Sequence, residues 1–546
     1  MDKKLLALTL TGRTLVPGLG RGKIFVYRDD LNRLDEFYDI QAEAVEDELQ
    51  RFEQAVASIS GDLSDLASQV RKEIDASLSD VLHAHIAMVE DTSLKAEVLK
   101  EIGDELVSAG NAVRTVFRRW EQRFRSMEAE VARQKADDMR DLARRLLFSL
   151  AGVRAHALED LPPGSVLLAN RLLPTDTIFL ARRSAQAAVL EVGGPASHAA
   201  LFAHEIGLPC VTGLSGVLDK AAPGELALVD ADAGEVIINP DKKQEQNFKA
   251  KCRDRERASS KARASAHQHA KTKQGKTIAV LANVGRFEDT QEAVENGADG
   301  IGLYRIESAY LGRQEPPDAT SLLDEMQKTL QPARGLPVYV RLLDIGADKP
   351  LPFMKENREN NPALGCRGIR FLLKYPELLS TQLEALLRLS LDFELHILVP
   401  MVTLPSDIQA VKERLEEAAR RTETPLVPAL GAMIETPAAA LAASDIAKYA
   451  EFLSFGTNDL TQYTFVADRE NANVDAYFDD SHEAIFRLLR IVRDDVPDVP
   501  LSICGELAGR SRAISEILKC GIRSLSVAPL SIPTIKEAVR RCEAGG

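Results

Sequence analysis

Phe452-Leu-Ser-Phe-Gly-Thr-Asn-Asp-Leu-Thr-Gln-Tyr463 turns from apolar to polar within one step. Phe452 to Phe455 is an apolar run of strand length, Gly456 interrupts it, and Asn458 and Asp459 follow at once. The same pattern recurs along the rest of the chain beyond residue 275. The β-like runs are Ile278–Asn283, Gly300–Tyr304, Val338–Leu342, Leu395–Val399, Ala429–Ile434, Phe452–Phe455, Leu501–Cys504 and Leu525–Val527. Helical patterns separate them, clearest at Asp289 to Asn296 and Pro405 to Ala419. Eight such units in about 270 residues predict a (β/α)8 TIM-type barrel over 275–546. Periodicity alone also accommodates a doubly wound open sheet.

Polar residues gather where these runs end. They are Arg305, Arg341 with Asp344 beyond it, Glu435, Asn458 with Asp459, Asp468-Arg469, and Cys504-Gly-Glu506. Any one of them alone reads as a salt-bridged loop residue, or for Cys504 as a buried structural thiol. Their shared place at the C-terminal ends of strands makes one mouth of a barrel the expected reacting centre. Guanidinium groups bind phosphate and carboxylate through paired hydrogen bonds. Glu435 and Asp459 are hard oxygen donors suited to Mg²⁺, and a thiol can give or take a proton. The implied ligand is small and anionic, with a phosphate and a carboxylate.

A second stretch, Glu191-Val-Gly-Gly-Pro-Ala-Ser-His198-Ala-Ala-Leu-Phe-Ala-His-Glu-Ile-Gly-Leu-Pro-Cys-Val-Thr-Gly213, lies upstream. An apolar run, Ala187 to Leu190, stops at Gly193-Gly194, and Ser197 stands where a helix cap would. A short helix is expected from Ala199 to Ile206, closed by Gly207, with a strand resuming at Pro209. His198 would then sit in the first helical turn, where the dipole disfavours imidazolium and favours an attached phosphate. A neutral imidazole is a nucleophile, although a histidine at a helix start is more often a plain surface residue.

The totals bound the rest. A chain of 546 residues predicts three or four domains. The net charge of -14, with no basic face interleaved with aromatics, argues against nucleic acid as a partner. Six scattered cysteines without a CxxC pair suggest reduced thiols and offer no zinc site. Neither a secretory start nor a membrane-length apolar run is read, so a cytoplasmic protein is expected. Residues 1–33 carry short β-like runs, Leu5 to Leu10 and Lys23 to Tyr27, as does 151–240. Between them, 34–150 is helical, with stripes at Leu49, Phe52, Val56, Ile59, Leu63, Leu66, Val70, Ile74 and Leu78, and at Val113, Val116, Phe117, Trp120, Phe124, Met127 and Val131. The expected organisation is an α/β subdomain, 1–33 with 151–240, holding an inserted helical bundle at 34–150. A polar connecting helix at 241–274 would lead to the barrel.

The 191–213 stretch resembles the phosphohistidine motif of the phosphoenolpyruvate-utilising enzymes at Gly193, Gly194, Ser197 and His198, and departs from it at Pro195 and Ala196. Beyond it, Gly302-Leu-Tyr-Arg305, Val340-Arg-Leu-Leu-Asp344-Ile-Gly-Ala-Asp-Lys349, Asn361-Pro-Ala-Leu-Gly-Cys-Arg367, Ile434-Glu-Thr-Pro-Ala438, Gly456–Tyr463, Asp468-Arg469 and Cys504-Gly-Glu-Leu-Ala508 occur in family order. Together they resemble the Enzyme I family of the bacterial phosphoenolpyruvate:sugar phosphotransferase system, over nearly the whole chain. Ile306, Ser308 and Cys366 depart from its usual residues. The resemblance implies phosphoenolpyruvate bound by Arg305, Arg341, Asn458 and Arg469, Mg²⁺ on Glu435 and Asp459, and Cys504 as the acid that protonates enolpyruvate. It also implies phosphoryl transfer through His198 to an HPr-like phosphocarrier protein docked on the helical insert, and a homodimer formed through the barrel. Rival readings are a pyruvate dikinase or phosphoenolpyruvate synthase, which needs a nucleotide-grasp domain not seen ahead of 191–213, a regulatory protein without turnover, and the nitrogen-related branch.

Overall fold

The structure is a computed structural model. It describes the chain apart from residues 1–6, 29–36, 74–75, 126–129, 153–156, 174–175, 177–178, 181, 194–202, 204–205, 311–312, 347–352, 354–358, 360, 425–426, 469–473, 475–476 and 544–546. Two compact units divide it, Met1–Arg253 and Asp254–Gly546. Among the described residues no helix is long and apolar enough to cross a membrane.

The first unit is built on an eight-stranded sheet. Its strands are β1 Leu8–Thr11, β2 Arg13–Val16, β3 Leu19–Tyr27, β4 Val166–Ala169, β5 Ala187–Leu190, β6 Cys210–Thr212, β7 Leu226–Asp230 and β8 Glu235–Ile238. They lie in the order β1-β8-β7-β3-β4-β5-β6-β2, with β3 to β6 mutually parallel and the remaining pairs antiparallel. β4 and β5 are buried at every position, which is why they read as unbroken apolar runs. In β3 a side chain at Gly22 would meet the backbone of Ser165 and Val166 at 3.0 Å, so only glycine lets these strands lie so close. β2 was not foreseen, and β3 begins four residues before the run expected at Lys23.

Among the described residues, five α-helices stand between β3 and β4: α1 Val45–Glu73, α2 Ala76–Val89, α3 Thr92–Glu105, α4 Ala109–Arg125 and α5 Glu130–Leu150. The first expected stripe buries Phe52, Val56, Ile59, Leu63 and Leu66, and the second Val113, Val116 and Phe117, in one core. Asp91 Oδ1 caps α3 by accepting from the N–H groups of Ser93 and Leu94, each at 2.9 Å. A buried polar knot fastens α5 to the sheet. The Arg144 guanidinium, 1% exposed, donates to Asp141 at 2.9 Å and Asp176 at 2.8 Å, and also to the Tyr27 hydroxyl at the end of β3.

The polar stretch after residue 241 contains the helix Lys242–Ala264 and then a two-residue strand, β9 Ala270–Lys271. The second unit is the barrel. Its strands are β10 Thr277–Val284, β11 Ile301–Arg305, β12 Val338–Arg341, β13 Leu395–Val399, β14 Ala429–Ile434, β15 Phe452–Phe455, β16 Leu501–Ile503 and β17 Ser524–Val527. These eight strands are parallel to one another, and β10 pairs with both β11 and β17. That closure rules out the open sheet. β13, β14 and β15 coincide to the residue with the expected runs.

Candidate active site at the barrel mouth

Alternate residues of a barrel strand point inward. On β14 and β15, Met433 and Phe452 belong to a small inner cluster with Leu303, Leu398 and Cys504. Two residues past Met433 comes Glu435, and two past Phe452 comes Ser454, so the same parity carries polar groups to the mouth. Arg305 and Arg341 end adjacent strands and are direct cross-strand partners.

Around this mouth the side chains form a line of alternating charge. Arg341 donates to Glu307 at 2.8 Å and to Asp344 at 3.1 Å. Arg367 donates to Asp344 and to Asp459, each at 2.9 Å. Burial opposes the charge on both guanidiniums, but the neighbouring carboxylates outweigh it and hold both above the ordinary arginine value. Burial, followed by the charge of Arg341, instead lowers the pKa of Arg305.

Glu435 is 1% exposed, and its Oε2 accepts from the Met401 N–H at 2.7 Å. Burial first, then the charges of Asp459 and Asp344, push its carboxyl well above the usual range, although Arg341 and Arg367 act the other way. Asn458 and Asp459 occupy the first turn of the helix Thr457–Phe465, where unpaired N–H groups favour anions. Asn458 is braced by Glu506, whose N–H donates to Asn458 Oδ1 at 2.9 Å. Burial pushes the Cys504 thiol up to about 11, so it is protonated at neutral pH.

The structure therefore brings Arg305, Arg341, Glu435, Asn458, Asp459 and Cys504 to one mouth. Arg469 lies outside the described residues, and so does His198. The segment carrying His198 joins β5 to β6, two parallel neighbours. At its far end Gly207 has φ +63° and the Leu208 N–H donates to Ala203 O at 2.9 Å. Glu307 and Arg367 were not singled out from the sequence. Arg367 stood inside the quoted Asn361–Arg367 word, without a role.

The donor set bears on a metal as well. Among the described residues no group of three or more His, Cys, Asp or Glu side chains would enclose one. Glu435 and Asp459 nevertheless set two hard oxygen donors near each other in a desolvated place, which suits a cation whose other ligands come from substrate and water.

Residues 259–544 match the PEP-utilising enzyme, PEP-binding domain, which is more than half of the chain. The chain belongs to the PEP-utilising enzyme family. Residues 11–135 match the N-terminal part of this family and 161–234 its mobile domain. Relatives named phosphoenolpyruvate-protein phosphotransferase include one from Priestia megaterium, 32% identical over 91% of this chain and 88% of its own length. Another, from Haloferax volcanii, is 33% identical over 97% and 94%, and one from Haemophilus influenzae is 30% identical over 97% and 93%. A solution structure described as Enzyme I (nEIt) is 30% identical and covers 45% of this chain and 99% of its own, with a TM-score of 0.40. Within its family this chain is a phosphotransferase.

Proposed function

We propose that the chain transfers the phosphoryl group of phosphoenolpyruvate to His198 and from there to a histidine of an HPr-type carrier protein, releasing pyruvate. The observation that carries this reading is the mouth itself, where guanidiniums, paired carboxylates and a protonated thiol converge within a family that uses phosphoenolpyruvate. Arg305 and Arg341, with Asn458 and Arg469, would hold the phosphate and carboxylate of the substrate. Ion pairs of Arg341 with Glu307 and Asp344 fix that side chain before substrate arrives, which reduces the entropy lost on binding. Glu435 and Asp459 would hold Mg²⁺, which when bound neutralises charge on the transferring phosphoryl group. A ring nitrogen of His198 attacks phosphorus, the enolate leaves, and the Cys504 thiol delivers its proton to C3.

Two partners in turn require a mobile histidine-bearing part. The α/β region, 1–33 with 151–240, would swivel about 241–274 between the barrel at 275–546 and a carrier docked on the helical insert at 34–150. A homodimer formed through the barrel and a cytoplasmic setting, with sugar uptake downstream, complete the reading. Labelled phosphoenolpyruvate with Mg²⁺ tests it: the wild-type protein should become labelled and His198→Ala should not. Retained label in that variant would reject His198 as the acceptor.

A further inference from the structure

Cys504 stands in the turn after β16, and its sulfur faces β15. The Ser454 hydroxyl donates to Cys504 Sγ at 3.4 Å, and the thiol donates to the Phe455 carbonyl at 3.5 Å. Ser454 is 1% exposed and lies beside the apolar inner cluster of the barrel, so its hydroxyl points at sulfur without competition from bulk water. The main chain at the thiol is fixed separately. Asn283 Nδ2 donates to Cys504 O at 3.0 Å, and the Ser526 hydroxyl donates to Asn283 Oδ1 at 2.6 Å. Backbone placement is thus already assigned to other residues, which leaves the Ser454 hydroxyl with one remaining effect, on the sulfur atom.

We infer that Ser454 is a positioning residue for proton delivery, orienting the Cys504 thiol and stabilising the thiolate that it becomes. The inference rests on the proposed role of Cys504 as the acid. Once phosphorus has moved to the histidine, the C2–O⁻ pair of the enolate closes to a carbonyl and the C2=C3 pair takes the thiol proton. The S–H bonding pair stays on sulfur, and a solvent proton restores the thiol after pyruvate leaves. The thiolate is the species that gains most from a donated hydrogen bond, since bonds to charged acceptors are about twice as strong as neutral ones. Charged groups among the described residues that act on this sulfur include Glu435 at the end of β14, Arg341 of β12 and Arg305 of β11.

Threonine and valine at position 454 have nearly the same shape and differ in the hydroxyl, so the pair separates hydrogen bonding from packing. The full chain carrying Ser454→Thr, Ser454→Val or Cys504→Ala is assayed for pyruvate release from phosphoenolpyruvate with Mg²⁺. Thiolate absorbance is titrated in parallel, each spectrum read against the matching chain that also lacks Cys504. The Thr variant should keep the wild-type ionisation midpoint. The Val variant should move it upward by about one pH unit or more and slow pyruvate release roughly tenfold or more. Coincident midpoints in the Thr and Val variants, with Cys504→Ala slow, would overturn the inference and leave the role of Cys504 intact. Wild-type pyruvate release from Cys504→Ala would instead remove Cys504 as the acid, and the inference with it.

Discussion

Gly456→Ala isolates the placement of Glu435 with a single methyl group. Gly456 has φ -89° and ψ 80°, angles that alanine tolerates, so no backbone penalty is expected. The obstacle is space. An added Cβ would lie 2.7 Å from Glu435 Cγ and 2.9 Å from its Cδ, where carbon atoms rest at about 3.5–4.0 Å. The carboxylate must therefore retreat by roughly 1 Å, and its bond to the Met401 N–H at 2.7 Å limits the directions open to it. A misplacement of that size at a reacting centre costs about a hundredfold in rate, equivalent to about 2.7 kcal/mol of barrier. Pyruvate release measured over a range of Mg²⁺ concentrations should fall by that factor, with the requirement for Mg²⁺ raised and the melting temperature little changed. Wild-type kcat/KM at an unchanged Mg²⁺ requirement would show that Glu435 has no placement to lose, and the metal-holding role proposed for it would fail.

Two further outcomes follow from buried charge. Arg144→Met removes the buried guanidinium that Asp141 and Asp176 share, which should destabilise the first unit by about 3–5 kcal/mol. Calorimetry should show its transition lowered by roughly 6–20 °C, partly restored by adding Asp176→Asn, and a loss under about 1 kcal/mol would contradict the account. Glu435→Gln should raise the melting temperature of the barrel unit at pH 8. Because burial and like charge raise its pKa in the fold, the native state holds this proton longer than the unfolded chain does. Wild-type stability is therefore lost as pH rises from the ordinary carboxylate value toward the raised one, at about 1.4 kcal/mol per pH unit of displacement. The advantage of the glutamine variant should vanish near pH 4, and an equal gain at both pH values would count against the buried-charge explanation.

The barrel was legible because several of its strands announce themselves twice, by an apolar run and by the polar residue that follows it. Ile434-Glu435 and Phe455-Gly456 mark the mouth as plainly as they mark the strand end. Arg367 was less visible. It lies in the long connection after β12, and its partner Asp459 is 92 residues away, so no local spacing couples them. Glu307 sits two residues past Arg305, yet its bond goes to Arg341 on the next strand. β2 is four residues long and pairs with β6 nearly two hundred residues later, so its pairing leaves no trace in its immediate sequence.

The interleaved sheet of the first unit imposes an order on its birth. β3 leaves the ribosome roughly 140 residues ahead of β4, its parallel partner, and β1 waits longer still for Ile238 and its neighbours. At about 5–20 residues per second, the opening strands spend on the order of ten seconds with nothing to pair with. During that interval the five helices emerge complete and can collapse on their own core. The nascent chain thus solves its helices first and stitches its β layer shut afterwards, and any chaperone demand should concentrate on those waiting ribbons.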